Sequence, residues 1–441
     1  MRSASARLAE SLLSTAVGVH SASSRLRPLS TSSLLVAADK PDTHAFDVAL
    51  LLAAVTTGGV LAGSAGNWWG RFRGCAGCDP EHRGTGGALR GVKAEAAPQF
   101  CPDANARVYR ERRCDEFSPL ALGSAVDYVA TRKIGRGTYS EVFDGFHKDS
   151  GDRCAIKRLK VENARKLQRE VHVLDRLRGG PNIIELVDVV QDPQSQKPCL
   201  ILELVENTDP KRLYPTLADD DVRHYVFELL KALDYSHSQG VMHRDVKPRN
   251  VAIDHSNKKL RLIDWGLADF YHPGQEYSLR VASLHYKPPE LLVGLRRYSC
   301  SLDMWSLGCM LASLVFGREP FFAGEDCHDQ LLTIVSVLGT KDLRTYLDKY
   351  GLTLDANLEN SLQRHSKMPW SQFAGRGNRH RVSPEAIDLI DRLLVYDHAE
   401  RLHPKEAMQH PYFDRIRERL LDECRADAEP GVCEVAPGGK A

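Results

Sequence analysis

The most constraining stretch of this 441-residue chain is short. His243-Arg244-Asp245-Val246-Lys247-Pro248-Arg249-Asn250 is followed, fourteen residues later, by Asp264-Trp265-Gly266. Each residue type has a definite use when a phosphoryl group is moved. Asp245 can accept the proton of a hydroxyl nucleophile and orient it. Lys247 can stabilise charge developing on the transferred group, and Asn250 offers a hard oxygen to Mg2+. Asp264 closes an apolar strand, Leu260 to Ile263, and supplies a second oxygen for the same cation. A polar loop beside a hairpin would carry one or two such residues. Eight positions of fitting type and order argue for a phosphoryl-transfer centre.

A second set lies upstream. Gly135-Arg136-Gly137-Thr138-Tyr139-Ser140-Glu141-Val142 places two glycines one residue apart between two β-type runs. Backbone N–H groups can then approach phosphate oxygens with no Cβ in the way. About twenty residues on, Cys154-Ala155-Ile156-Lys157 puts an ammonium on an apolar strand, which costs desolvation free energy unless the charge is paired. Glu170, on the helical stretch near 163–178, is a suitable partner, and Lys157 so held can bind nucleotide phosphates. Taken singly, these residues read as a turn, a surface strand lysine and a solvated helix glutamate.

From about Tyr128 the texture is globular. Residues 128–205 alternate short apolar runs with turn residues and contain one helical stretch, which predicts a small sheet with one helix. Helical spacing follows at 220–239, 300–316, 328–338, 384–395 and 405–410. A small sheet-rich lobe is therefore expected to precede a larger helical one. The 59 Lys plus Arg against 58 Asp plus Glu leave a net charge of +1, which excludes a bulk basic field and gives no reason to expect nucleic acid as a partner. The 11 cysteines are odd in number and scattered, so reduced thiols are expected. Cys75 and Cys78 form a C-x-x-C pair without a second pair at zinc-site spacing.

These motifs, in this order, resemble those of the eukaryotic protein kinases. The resemblance extends to Lys287-Pro-Pro289-Glu290, with Arg401 placed to pair with Glu290, and to Asp303-Met-Trp305-Ser-Leu-Gly308. It narrows further. Asp264-Trp265-Gly266, Arg178-Gly-Gly-Pro-Asn-Ile-Ile184, Ala232-Leu-Asp-Tyr235, the run Asp264 to Tyr277 and the run Ser301 to Ser313 are similar to the casein kinase II catalytic (alpha) subunit. Ala106-Arg-Val-Tyr109 resembles that subunit's extreme N-terminus. The similarity runs from about residue 106 to 416.

The resemblance implies an α+β, bilobal kinase fold over 128–413, with a β-rich N-lobe and a larger α-helical C-lobe. It implies a family-like segment at 106–127 and a tail at 414–441. It also implies transfer of the γ-phosphoryl group of ATP, with GTP as an alternative nucleotide, to Ser or Thr. Gly135, Arg136, Gly137, Ser140, Val142, Ala155, Lys157, Glu203, Val205 and Ile263 would contact the nucleotide. Asp245, Lys247, Lys157 and Glu170 would be catalytic, with Asn250 and Asp264 on Mg2+. Leu202 stands at the position controlling the back of the nucleotide pocket, where the family usually has Phe, and Ala252 lies where a larger Met is usual. The family prefers acidic residues after the phosphorylated site, which calls for a basic floor. Arg249, Arg280, Lys287, Arg165 and Lys166 would supply it, thinned by Leu284 and by Asn163-Ala164 where the family has basic residues. Expected partners are acidic Ser/Thr proteins and the family's regulatory beta subunit. Ser278 and Ser283 read as structural or exposed positions. A catalytically dead scaffold would lack Lys157, Asp245 or Asp264, and all three are present.

Residues 1–105 form an extension with a question of its own. Residues 1–35 carry Arg2, Arg7, Arg25 and Arg27 against a single acid, Glu10. That is the composition of an organellar transit peptide, for a mitochondrion or plastid, and equally of a polar tail. The family resemblance by itself implies cytoplasm and nucleus. Residues 48–70 are uncharged over a length that can cross a bilayer, with Trp68 and Trp69 beside Arg71, yet the stretch holds five Gly and two Thr. Both readings of that segment stand. Residues 79–105 read as linker.

Overall fold

A computed structural model describes residues 120, 122–137, 140–160, 164–192 and 194–428. The extension to residue 105, the uncharged stretch 48–70, the Cys75–Cys78 pair, the Ala106–Tyr109 segment, Thr138, Tyr139 and Asn163 lie outside the described residues, as does the tail beyond 428.

Six strands form the first lobe: β1 (Gly123–Ser124), β2 (Tyr128–Arg136), β3 (Ser140–His147), β4 (Arg153–Leu159), β5 (Leu186–Gln191) and β6 (Pro198–Glu203). Their order in the sheet is β1-β5-β6-β4-β3-β2. All neighbours are antiparallel except β1, which runs parallel to β5. The pleat sends alternate residues to opposite faces. Cys154 and Ile156 of β4, Val190 of β5, and Cys199 and Ile201 of β6 build an apolar cluster on one face. Val189 and Leu200 belong to the main core on the other face. Lys157, paired with Leu200, shares that second face.

Helix α1 (Ala164–Arg176) buries Leu167, Glu170, Val171, Val173 and Leu174, the stripe expected of an amphipathic helix with one acid set into it. The edge strand β1 has no periodic signal of its own and is not foreseen from sequence. A Cβ on Gly123 would stand 2.6 Å from an oxygen of the Asp188 side chain, which would have to turn aside.

After the crossing at 204–209 the chain is mainly helical. Helix α2 (Asp219–Ser238) begins with three acids, Asp219, Asp220 and Asp221, at its positive end. Between α2 and the next long helix lie β7 (Val241–Met242), β8 (Val251–Asp254), β9 (Lys259–Leu262) and β10 (Asp269–Phe270), paired as β8–β9 and β7–β10 hairpin-like ladders. Helix α3 (Ser301–Phe316) is buried at every position, as befits a helix apolar on all sides, and ends at Gly317 with φ 65. It is followed by α4 (Cys327–Leu338), α5 (Thr340–Tyr350), α6 (Pro384–Leu393), which packs against α3, and α7 (Asp414–Ala428). Helix α5 escapes the reading from sequence, although Leu343, Tyr346 and Leu347 have helical spacing and are buried. The expected helix at 405–410 is a short one, Pro404–Met408. Among the described residues no helix is long and apolar enough to cross a membrane.

Candidate active site

Cross-strand register assembles the first half of the site. Gly135 pairs with Val142, Val142 with Lys157, and Lys157 with Leu200, one row across four strands. Ala155, one pleat along, pairs with Leu202. Glu203 ends β6, and Val205 follows in the crossing segment. The Glu203 side chain is held by Lys259 and by Arg261 Nε at 2.9 Å. Burial alone would raise its pKa, and the two cations bring it below the usual carboxylate range. Ile263 lies just after β9, where its N–H donates to Asn250 O at 2.9 Å.

Lys157 is buried with its ammonium donating to Glu170 Oε1 and to Asp264 Oδ1, each at 2.7 Å. Burial would lower the Lys157 pKa, but the charges of Glu170 and Asp264 outweigh it and raise it. Burial likewise would raise that of Asp264, and the Lys157 ammonium keeps its carboxyl below the ordinary range. Both charges are therefore in place at neutral pH. Gly266 stands beside this triangle. A Cβ there would lie 3.3 Å from Glu170 Oε2 and 3.5 Å from Asp264 Oδ1, an apolar group pressed against two carboxylates.

The second half is the loop from His243 to Asn250. Asp245 is buried, and both carboxylate oxygens are engaged. Oδ2 accepts from Lys247 Nζ at 2.7 Å and Asn250 Nδ2 at 3.0 Å. Oδ1 accepts from the Ser283 N–H at 3.1 Å and its hydroxyl at 2.8 Å. Lys247 also donates to Ser283 Oγ at 2.8 Å. Ser283 thus joins the cluster around Asp245. The reading from sequence missed this, because 38 residues separate Ser283 from Asp245 and no local pattern marks it.

Three residues of this region sit in left-handed backbone, Arg244 at φ 65, Asp264 at φ 60 and Ala282, next to Ser283, at φ 60. Non-glycine residues hold that conformation at a cost, so the surroundings must impose it. For Arg244 the clamp is Asp303 on α3. Its carboxylate accepts the N–H groups of His243 at 2.9 Å and Arg244 at 2.8 Å, and His237 Nε2 lies 3.0 Å from Oδ2. Burial would raise the Asp303 pKa, and these partners bring it down. The ring of His243 then joins the two halves. Its Nδ1 meets the N–H of Asp245 at 3.2 Å, and Nε2 lies 3.1 Å from the carbonyl of Ile263. Trp265 is buried edge-on to that ring at 4.6 Å and donates Nε1–H to Leu262 O at 3.1 Å.

The donor set suits a divalent cation that shares its ligands with phosphate. Asn250 Nδ2 is turned to Asp245, whose backbone oxygen it also meets at 2.8 Å, which leaves Oδ1 as the oxygen for a cation. Asp264 gives Oδ1 to Lys157 and keeps a half-exposed carboxylate. Among the described residues no group of three or more His, Cys, Asp or Glu could hold a metal alone. A hard cation held by the Asn250 and Asp264 oxygens would be completed by phosphates and water.

The remaining sequence candidates are spread more widely. Gly135 is half-buried, Arg136 and Gly137 are exposed, and Ser140 and Val142 are half-buried on β3. Arg165 and Lys166 are exposed at the start of α1. Arg249 and Arg280 are also exposed. Lys287 is buried and donates to the carbonyls of Leu279, at 3.1 Å, and Val281. Its positive end supports the backbone of the segment that carries Arg280. Arg401 and Glu290 form the expected pair, wholly buried, with two contacts of 2.7 and 2.6 Å.

The family model described as Protein kinase domain matches residues 128–413.

Proposed function

The chain belongs to the protein kinase domain family, and from that premise we propose a serine/threonine kinase of casein kinase II alpha type, acting on Ser or Thr followed by acidic residues. The cluster around Asp245, assembled together with the closed Lys157–Glu170 pair, supports phosphoryl transfer, and the resemblance of Asp264-Trp265-Gly266 and of the run Ser301 to Ser313 supports the casein kinase II alpha type.

ATP is the phosphoryl donor, and the Gly135–Gly137 turn offers backbone N–H groups to its phosphates. Lys157, fixed by Glu170, places the phosphates so that the γ-phosphorus faces Asp245. Asp264 and Asn250 would hold Mg2+, which neutralises phosphate charge when bound. The substrate hydroxyl oxygen attacks the γ-phosphorus, and the bond to the β–γ bridging oxygen breaks. The hydroxyl proton goes to an oxygen of Asp245. Lys247, 2.7 Å from that carboxylate, is placed to stabilise charge on the phosphoryl group in flight. Acidic preference is supported by two exposed guanidinium groups, one in the loop that carries the base and one in the segment whose Ser283 binds it. Arg249 lies between Lys247 and Asn250, and Arg280 lies three residues before Ser283.

The test is a Ser peptide array with acidic, neutral or basic residues on the C-terminal side. Acidic peptides are expected to be preferred, and Asp245→Asn is expected to abolish transfer to all of them. Arg280→Ala should lower kcat/KM for acidic peptides about fivefold, the scale of one exposed ion pair, and leave neutral peptides nearly unchanged. An array without acidic preference would sink the casein kinase II assignment and leave the family membership intact.

A further inference from the structure

A short turn at 294–298 carries two adjacent arginines, Arg296 and Arg297, and is pinned to the stretch that holds Arg280. The Tyr277 N–H donates to Arg296 O at 3.0 Å, and the Tyr298 hydroxyl donates to Ser278 O at 2.7 Å. The rings of Tyr277 and Tyr298 pack at 5.3 Å, and both belong, with Val281 and Leu291, to one buried apolar cluster. Arg296 and Arg297 are thereby brought beside Ser278, two residues before Arg280. All three arginines are exposed.

The same stretch is tied to the reaction centre. Lys287 holds the carbonyls of Leu279 and Val281, and the Ala282 N–H donates to Arg244 O at 2.9 Å. Ser283 meets Asp245, and Arg244 NH1 donates to the Tyr298 hydroxyl at 3.3 Å. The arginines are therefore displayed from backbone whose place relative to Asp245 is set.

Charge on this surface is one-sided. Residues 274–281 and 294–298 hold three Arg and a single acid, Glu276. Glu276 lies 3.6 Å from Arg297, with side chains 56% and 68% exposed. Such a contact is weak in water, and a carboxylate from another chain can exchange with it. Beside the base, Arg249 apart, the floor is poor in charge, because Leu284 follows Ser283 and Lys287 is turned inward. Cationic surface resumes at Arg280 and continues to Arg296 and Arg297. Guanidinium groups spread along a fixed surface suit a run of carboxylates rather than a single one.

We propose that Arg296 and Arg297, together with Arg280, form a distal subsite for a run of acidic residues in the substrate. An extended peptide advances about 3.3 Å per residue, so the run would lie about four or more residues from the phosphorylated Ser or Thr. The proposal deepens the acidic-substrate reading above and rests on it.

The experiment compares the full-length parent with Arg296→Gln/Arg297→Gln and Arg296→Lys/Arg297→Lys. One Ser peptide carries a run of Glu directly after the Ser. A second carries the same run beyond about the fourth residue, on either flank, and a third has Gln throughout. In the parent, kcat/KM is expected to rise about tenfold for the distal run over the Gln peptide, mainly through KM, and less at high salt. The Gln variant should lose about fivefold or more of that gain, with kcat within about twofold of the parent. Its gain from the adjacent run should stay within about twofold of the parent's, and the Lys variant should keep most of the distal gain. The subsite is overturned if the parent gains nothing from the distal run on either flank, if the Gln variant keeps the gain, or if both runs lose equally. A parent that ignores the adjacent run would defeat the acidic-substrate reading, and the distal comparison would still decide the subsite. In a parent without phosphoryl transfer, fluorescence anisotropy of the labelled distal-run peptide decides it: equal affinity for parent and Gln variant overturns the proposal.

Discussion

Replacing Lys157 by Met is expected to cut phosphoryl transfer by about a thousandfold or more while the domain stays folded. The reason lies in the charge count around it. Glu170 is 6% exposed, and its carboxylate meets the Lys157 ammonium at 2.7 Å. Asp264 meets the same ammonium at the same distance. Met fills the volume of the lysine stem and leaves two carboxylates facing each other with no cation between them. Repulsion then drives α1 and the Asp264 backbone apart, so the loss exceeds that of one phosphate contact. Single-turnover transfer from ATP measures the effect, and circular dichroism checks the fold. A loss below tenfold would show that the triangle is not needed. Lys157→Arg keeps the charge but cannot reproduce a point contact to both acids with a planar fork, so it should rescue little.

The second large effect concerns stability. Arg401→Met should destabilise the domain by about 3–5 kcal/mol, because it strands Glu290 as an unpaired buried charge. The Arg401 guanidinium has five N–H donors, and all five are spent. NH1 reaches Glu290 Oε1 and Ser301 O, NH2 reaches Glu290 Oε2 and Tyr396 O, and Nε reaches Val395 O. Trp305 lies under the group at 5.1 Å. Glu290→Leu alone leaves the opposite charge stranded and should cost a similar amount. The double variant Glu290→Leu/Arg401→Met removes both charges, and about half of the loss should return. Denaturant midpoints for the three variants make the cycle. Additive losses would mean that the pair contributes nothing beyond its two side chains.

The residues whose chemistry is carried by local spacing were legible in the sequence. Asp245, Lys247, Asn250 and Asp264 lie within 20 positions, and no long-range contact is needed to suspect their purpose. The Lys157–Glu170 pair was legible because a charge on an apolar strand has to be neutralised. Other contacts were not legible, because the partner is set by topology. Ser283 meets Asp245 across 38 positions, and Asp303 meets the Arg244 N–H across 59. Nothing around Ser283 distinguishes it from Ser278, which is exposed. Lys287 shows the limit from the other side. The resemblance placed it in the basic floor for acidic peptides, while its buried ammonium donates to backbone carbonyls. Strand β1 and helix α5 were lost for ordinary reasons, the first because two residues carry no period, the second because its apolar positions are interleaved with Lys, Asp and Arg.

The two faces of the six-stranded sheet differ in a way that bears on how the molecule holds together. One face closes over its own small cluster of Cys154, Ile156, Val190, Cys199 and Ile201. The other face, together with Leu167, Val171 and Leu174 of α1, is continuous with the apolar interior of the helical lobe. The sheet lobe therefore has no complete interior that it could carry away by itself. Melting should be one cooperative event for both lobes, and a fragment ending at the crossing segment should expose the inner sheet face and aggregate. A calorimetric trace with two separated transitions would contradict this. Lys157 and Asp245, which belong to different lobes, would then share one stability, so a mutation weakening either lobe would be felt at both.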